Sequence, residues 1–169
     1  EKGDFGLALQ IYKDLAEKGN ASAAYALGKM HYEGSGTLQN YQEAAKWMQL
    51  AADQGFGVAS NDLGEMFEFG NGVLQDFQEA LKWYRLGAEQ GNSSAQYNLG
   101  TMYDRGVGVA ENDQEAAWWY QLSATEGNAD AQNGLGNLYY DGKGIPQNYQ
   151  EALKLYLLSA EQGNAFAQY

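Results

Sequence analysis

Apolar side chains recur along the chain at helical spacing, in pairs of short segments separated by glycine. In the segment Phe5–Lys18 the apolar residues fall at positions i, i+3, i+4, i+7 and i+8, which places them on one face of a helix. Gly19 ends that helix, and Asn20 is positioned to cap a second helix over Ala21–Glu33. No segment shows the alternation of apolar and polar residues that is typical of a strand. The pattern therefore predicts an all-α chain.

The segment Ala44–Ala52 shows that this pattern is a repeat. Similar sequences return every 36 residues at Ala80–Ala88, Ala116–Ala124 and Ala152–Ala160, and a weaker copy stands at Ala8–Ala16. Similarity at a fixed period of this length is the signature of repeat architectures. The predicted boundaries are the second helix of a partial repeat at 1–19, full repeats at 20–55, 56–91, 92–127 and 128–163, and the start of a further repeat at 164–169.

A capping residue followed three positions later by glutamate marks the start of the second helix in each repeat. The pairs are Asn40 with Glu43, Asp76 with Glu79, Asn112 with Glu115, and Asn148 with Glu151. This is the spacing of a capping box, in which each of the two side chains binds a backbone amide of the other residue. Each repeat is therefore predicted to be an antiparallel hairpin of two helices.

Glycine keeps the period of the repeat, and 22 glycines stand against one proline. One set lies in the middle of the first helices, at Gly28, Gly64, Gly100 and Gly136. Glycine inside a helix costs about 1 kcal/mol relative to alanine, so we expect the backbone of the partner helix to come close there. The pair Gly106 and Gly108 follows a helix and lacks the third glycine of a nucleotide-binding loop, which excludes that function.

Large side chains form a column in the second helices that is predicted to supply the largest buried surfaces. The column consists of Trp47, Trp83 and Trp119, with Ile11 and Leu155 at its two ends. His31, the single histidine, stands in a column that elsewhere holds Phe67, Tyr103 and Tyr139. We therefore predict that His31 is a packed residue rather than a ligand or a base.

Composition excludes several classes of partner. The chain of 169 residues has 10 basic and 22 acidic side chains and a net charge of −12. Nucleic acids and anionic membrane surfaces are bound mainly through Lys and Arg, so we predict neither partner. The charge keeps the chain dispersed in solution, and a basic partner is the alternative interpretation. No apolar run is long enough to insert into a bilayer.

Carboxylates are the only abundant groups that could carry out chemistry. Asp62, Glu65 and Glu68 fall on one helix, and Asp104 is the counterpart of Glu68 one repeat later. Paired carboxylates can cleave a glycoside when one lies in an apolar pocket, and the spacing here indicates no such pocket. One histidine and no cysteine leave no triad and no thiolate zinc site, so we predict no catalytic residue, cofactor or metal. A glycan-acting enzyme stays open as an alternative.

The repeat resembles the Sel-one-like repeat (SLR) of the tetratricopeptide-like superfamily. The resemblance rests on Leu27-Gly28, the paired loop glycines, Glu43-Ala44, Trp47 and Ala51-Ala52, and it is strongest in the repeat that contains residues 95–103. It implies a right-handed superhelical α-solenoid of stacked hairpins, with the first helices on the concave side. It also implies a non-enzymatic scaffold or adaptor for a protein or peptide, widespread in bacteria. A periplasmic or secreted location is favoured, the cytoplasm stays open, and both ends are expected to lie within a longer array.

Positions that vary between repeats on the first helices are the candidate partner-binding residues, because packing leaves them free. The three columns are Tyr25, Asn61, Tyr97 and Asn133; Lys29, Glu65, Thr101 and Asn137; and Tyr32, Glu68, Asp104 and Tyr140. Tyrosine and asparagine combine contact area with adaptable hydrogen bonding. Few cations stand among them, which favours a neutral or basic peptide. An ordinary solvated surface is the alternative.

Four residues depart from the repeat. Trp118 replaces the lysine of the other copies and is predicted to point outward, as an anchor for a partner or for self-association. Phe56 replaces a capping asparagine, Phe69 stands in a column of charged residues, and Asp113 replaces an aromatic residue. Homo-oligomers that form through the open ends of the solenoid are the second functional hypothesis.

Overall fold

A computed structural model describes residues 2–164 of the chain, with side chains from residue 6 onward. This part contains nine α-helices and no strand. The helices are α1 (Lys2–Glu17), α2 (Ala21–Glu33), α3 (Tyr41–Asp53), α4 (Gly57–Phe69), α5 (Phe77–Glu89), α6 (Ser93–Arg105), α7 (Asp113–Thr125), α8 (Ala129–Asp141) and α9 (Tyr149–Glu161). The all-α prediction with its repeated helix pairs is confirmed. The predicted further repeat lies, beyond Asn164, outside the described residues.

The helices form two compact units that are divided after Gln90. In unit 1, which contains α1–α5, the hairpins α2–α3 and α4–α5 meet where α3 packs on α4, and α1 packs on α2. In unit 2, which contains α6–α9, the hairpins α6–α7 and α8–α9 meet where α7 packs on α8. Each unit therefore has a core of its own between successive hairpins.

Helix α1 begins at Lys2, three residues before the predicted start at Phe5. Asp4, a residue type that often precedes a helix as its cap, lies instead within the first turn. Sequence pattern alone does not distinguish these two positions.

The second helix of each hairpin is capped as predicted, but the structure shows only half of the capping box. The Asn40 side chain accepts a hydrogen bond from the Glu43 amide at 3.1 Å. The Asn40 amide, which Glu43 was expected to bind, donates instead to the His31 carbonyl oxygen at 2.8 Å, and Glu43 pairs with Lys46. The same backbone bond joins Asp76 to Phe67, Asn112 to Tyr103, and Asn148 to Tyr139. A backbone contact thus closes each hairpin.

Glycine in the first helix makes room for a side chain of the partner helix. A Cβ atom built on Gly64 would lie 2.6 Å from ring carbon Cδ1 of Tyr84, far inside contact distance. Gly100 would meet the Tyr120 ring in the same way, at 2.7 Å. The expected close approach is present, but its nearest atoms belong to a side chain and not to the partner backbone.

The tryptophan column is buried only in part. Trp83, Trp119 and Leu155 are buried, and Trp47 is half-buried. Ile11 is 48% exposed, so the prediction that it ends a buried column is wrong, because α1 packs chiefly against α2. The residue that follows each tryptophan is at least as well buried, and Tyr84 is fully covered.

Replacing Gly64 with alanine should destabilise the fold, because the added methyl group would displace the Tyr84 ring inside a filled core. We expect the free energy of unfolding to fall by about 1–3 kcal/mol. Gly6→Ala in α1 is the control, since no atom lies within 4 Å of the added Cβ. Helix propensity alone should make that variant more stable, by up to about 1 kcal/mol. Chemical denaturation measures both changes, and equal stability of Gly64→Ala and wild type would contradict this packing.

Candidate functional site

In unit 1 the predicted partner-binding residues are largely engaged with other side chains of the same unit. The Tyr25 ring packs against Phe56 with centroids 5.1 Å apart, and its hydroxyl donates to Asp62 at 3.0 Å. Asn61 is buried, and its amide nitrogen donates to Glu65 at 2.9 Å. Burial, together with the Asp62 charge and hydrogen bond, raises the pKa of Tyr25 well above its ordinary value. This side of unit 1 is an internal hydrogen-bond network.

The charged residues of unit 1 are satisfied in the same way. Lys29 pairs with Glu33 at 3.4 Å, and its ammonium group lies 5.6 Å from the centroid of the Tyr32 ring. Glu68 accepts a hydrogen bond from the Tyr84 hydroxyl. What stays open beside these side chains is a recess of about 80 Å³, which has room for only a few water molecules.

Unit 2 carries a much larger groove between α6 and α8, with a volume of about 640 Å³. Five of the predicted residues line it together, namely Tyr97, Asp104, Asn133, Asn137 and Tyr140. The other lining residues are Arg105, Tyr120, Asp130, Gly134 and Tyr156. The predicted columns thus meet an accessible cavity in unit 2 and a nearly closed surface in unit 1.

Tyr120 forms the floor of this groove. It is buried in α7, and its ring stacks on Tyr97 with centroids 5.8 Å apart. Its hydroxyl lies 3.2 Å from the Thr101 hydroxyl and donates to Asp104 at 3.4 Å. Burial raises the pKa of Tyr120 well above its ordinary value; the Asp104 charge adds to this shift and the Thr101 hydrogen bond opposes it. The floor is therefore a neutral phenol at physiological pH.

Gly134 keeps the groove open beside that floor. A Cβ atom at this position would lie 3.1 Å from the Tyr120 ring. The other repeats place Ala26, Asp62 and Asn98 in the same column. In unit 1 the matching pair of residues is Met48 and Asp62, and both line the small recess there. The missing side chain at 134 is thus one local cause of the difference between the two units.

Amides and exposed rings form one wall of the groove. Asn133 and Asn137 lie one turn apart on α8, so their side chains project from the same face. The Tyr156 hydroxyl donates to the Asn137 side-chain oxygen at 2.8 Å. Tyr140 meets the Tyr149 ring edge-on at 5.2 Å and keeps 55% of its surface exposed. The wall combines hydrogen-bonding groups with accessible aromatic surface.

Half of the groove residues lie outside the three variable columns of the first helices, so the sequence pattern did not predict them. Tyr120 and Tyr156 lie on second helices, in a column that the packing pattern assigns to the core. Gly134 and Arg105 gave usable signals, since Gly134 is a glycine outside the repeated set and Arg105 is a cation among Glu33, Phe69 and Asp141. Asp130 gave no signal of this kind.

Trp118 lies on α7 and does not line the groove. Its side chain is 54% exposed, and its ring centroid lies 4.2 Å from that of Trp119. In the other hairpins a lysine at this position pairs with the glutamate three residues earlier, at Lys46, Lys82 and Lys154. The outward direction of Trp118 agrees with the sequence, and its role as an anchor stays a prediction.

The groove offers hydrogen bonds and aromatic surface. Among residues 2–164 there is no cluster of three or more side chains of the types that hold a metal ion. The carboxylates that the sequence offered for glycan chemistry, Asp62 and Glu68, each accept a hydrogen bond from a tyrosine hydroxyl.

None of the helices in the described part of the chain combines the length and the apolarity needed to cross a membrane.

Tandem two-helix hairpins with a groove along their first helices define a helical repeat protein. The chain belongs to the Sel1 repeat family, whose repeat model matches residues 21–56, 57–92, 93–128 and 129–164. The resemblance to the Sel-one-like repeat is thereby confirmed. Proteins of this family are generally scaffolds for protein interactions and are typically non-catalytic.

Solved structures agree with this assignment. The chain is 36% identical to c5321, a protective antigen of uropathogenic Escherichia coli with an SLR fold, with a TM-score of 0.90 over 94% of this chain and 34% of that one. It is 33% identical to a Sel1 repeat protein of Oxalobacter formigenes, with a TM-score of 0.86 over 95% and 46%. The chain therefore spans between a third and a half of the length of these two relatives. Comparison with curated proteins found no match.

Alkaline pH should destabilise the protein through its buried tyrosines. Burial raises the pKa of Tyr84 and Tyr120 in the folded state, whereas unfolded tyrosine titrates at about 10. This contribution to stability is fully present below pH of about 10 and is lost as the pH rises through the folded-state values. Denaturation at a series of pH values, with phenolate absorbance, should show a falling free energy of unfolding. The fall should be shallower in Tyr84→Phe, and an unchanged slope would contradict the assignment to that residue.

Proposed function

We propose that the groove of unit 2 binds an extended segment of a partner protein. The observation that supports this best is the difference in volume between matching places in the two units, about 640 Å³ against about 80 Å³. The larger volume falls within the range of about 300–1,000 Å³ that small-molecule and cofactor pockets occupy, so it is large enough to hold a ligand. In unit 1 the residues of the same columns form hydrogen bonds within the unit.

The groove chemistry suits a peptide backbone. A carboxamide carries both a donor and an acceptor, so it matches a peptide group. The side chain of Asn133 makes no hydrogen bond with another described residue, which leaves its donor and its acceptor available. Asn137 uses its oxygen for Tyr156 and keeps its nitrogen for a ligand. The exposed ring of Tyr140 adds contact area at low entropic cost.

The family assignment supports the same conclusion at a coarser level. Sel1 repeat proteins are generally interaction scaffolds, and in helical repeat proteins the extended surfaces of stacked helices are what partners bind. An acidic chain without long basic stretches favours a protein segment over nucleic acid. No observation on the described residues favours the glycan-acting alternative.

Truncating Tyr140 should weaken binding of a partner peptide selected from a displayed random library. We expect Tyr140→Ala to lose about tenfold in affinity, measured by fluorescence anisotropy, because an exposed aromatic anchor is lost. Tyr32→Ala is the matched control. It occupies the same column in unit 1 and loses a comparable edge-on contact, with Tyr41 at 5.0 Å, and we expect it to bind like wild type.

Two outcomes would contradict this proposal: selection of no peptide, or a loss in Tyr32→Ala that equals the loss in Tyr140→Ala. Trp118→Lys separates the self-association hypothesis from it. That variant restores the lysine of the other repeats outside the groove, so peptide affinity should not change. A Trp118→Lys variant that changes oligomeric state in light scattering while it keeps peptide affinity would show that both surfaces act.

A further inference from the structure

Arg105 lines the groove with an exposed side chain that forms no ion pair in the described part of the chain. Its guanidinium group makes no ion pair or hydrogen bond with residues 2–164, although it carries five donors. The neighbouring Asp104 also lines the groove but forms no ion pair with it, because consecutive side chains on a helix point in different directions. In unit 1 the cation on the groove side, Lys29, is paired with Glu33. An available cation facing the groove is thus specific to unit 2.

The position of Arg105 also has a purely structural interpretation. It lies in the last turn of α6, where a cation interacts favourably with the helix dipole. That interaction needs only the charge near the helix end and uses none of the guanidinium donors. Lys or Arg is absent from the last turn of α4 and of α8. Capping therefore does not explain why a forked donor group faces the cavity in this hairpin.

Asp130 lies toward the opposite end of the groove. Helix α6 runs antiparallel to α7, because the Ser123 hydroxyl donates to the Ser93 carbonyl oxygen near one end of the hairpin and the Asn112 amide donates to the Tyr103 carbonyl oxygen near the other. On α8, Gln132 reaches the Ala124 carbonyl oxygen, which places the beginning of α8 beside the beginning of α6. Asp130 accepts a hydrogen bond from the neutral amide of Asn164 at 2.8 Å, which leaves its charge uncompensated.

The two charged groups are separated by roughly the length of a short peptide. Arg105 is the last residue of α6, so it is level with Asp141 at the end of α8. Asp130 is the second residue of α8, eleven residues before Asp141. At 1.5 Å per residue the axial separation is about 16 Å. An extended chain covers that distance in about five residues. The neutral tyrosines and amides of the groove lie between the two charges.

We propose that this groove recognises a bipolar segment of about five extended residues, with a carboxylate at Arg105 and a basic side chain at Asp130. The proposal rests on the proposed function of the groove and adds the charge pattern of the ligand. It also refines the expectation of a neutral or basic peptide, because the net charge of −12 does not describe the local field near Arg105. A carboxylate can meet the guanidinium fork with two parallel hydrogen bonds.

The test uses capped synthetic pentapeptides with Lys at the first position, Glu at the fifth, and Ala-Leu-Ala between them. Replacing the peptide Glu with Gln should weaken binding to the wild-type protein about tenfold, and replacing the peptide Lys with Gln should have a similar effect. Arg105→Glu should reverse the first preference, so that a peptide with Lys at both ends binds this variant better than the original peptide. Arg85→Glu in unit 1 changes the net charge by the same amount and should leave the ranking unchanged.

The carboxylate could come from a side chain or from a chain terminus. A peptide with Gln at the fifth position and a free C-terminus, compared with the amidated Glu peptide, distinguishes the two sources, and a preference for either one supports the proposal. Equal binding of the charged and uncharged peptides would overturn the bipolar ligand. If that binding is still lost in Tyr140→Ala, the groove itself stands as the peptide site. If no pentapeptide binds, the bipolar ligand fails, and the library selection decides separately on the groove.

Discussion

The contact between a helix glycine and the side chain that lies on it determines how close the two helices of a hairpin can come. Glycine inside a helix costs about 1 kcal/mol in propensity. Burial of a tyrosine-sized ring contributes more, on the order of 1.5–3 kcal/mol. Tyr84 shows the arrangement, with its ring over Gly64 and its surface fully covered. A larger residue in place of Gly64 would leave no room for the Tyr84 ring at this distance, so the ring or the partner helix would have to shift.

The same side chain connects the core to the surface. A tyrosine that lies on a glycine sends its hydroxyl past the first helix, toward the side where the variable columns stand. In unit 1 the Tyr84 hydroxyl reaches Glu68, and in unit 2 the hydroxyls of Tyr120 and Tyr156 reach Asp104 and Asn137. The buried ring therefore orients polar groups of the groove. A change in the core of such a repeat is also a change in its binding surface.

The sequence predicted the parts of the structure that depend on local pattern. Helix periodicity, end caps and the 36-residue period act within one hairpin, so they could be identified from spacing alone. The capping box was half wrong because the Asn40 amide finds a carbonyl on the preceding helix, a contact between segments. Asn61 stood in a variable column and is buried, since its neighbour Glu65 holds it. A position that varies between repeats is free of the shared packing pattern, but its side chain is not necessarily exposed.

The groove could not be predicted from the sequence for a related reason. Its floor and its open space come from different repeats, because Tyr120 lies on the second helix of one hairpin and Gly134 on the first helix of the next. An alignment of the repeats compares copies of the same position and does not compare residues that are neighbours in space. The volume of the groove depends on such a pair, as the combination of Met48 with Asp62 in unit 1 shows.

The pairing of Tyr120 with Gly134 makes the groove depend on one junction between two repeats. The two residues belong to consecutive repeats, so an insertion between residues 128 and 129 would preserve every hairpin and still separate the floor from its opening. The segment that is needed for the groove is therefore the pair of repeats from 93 to 164. Each of these two repeats forms a helix hairpin, but the groove needs both of them in this order.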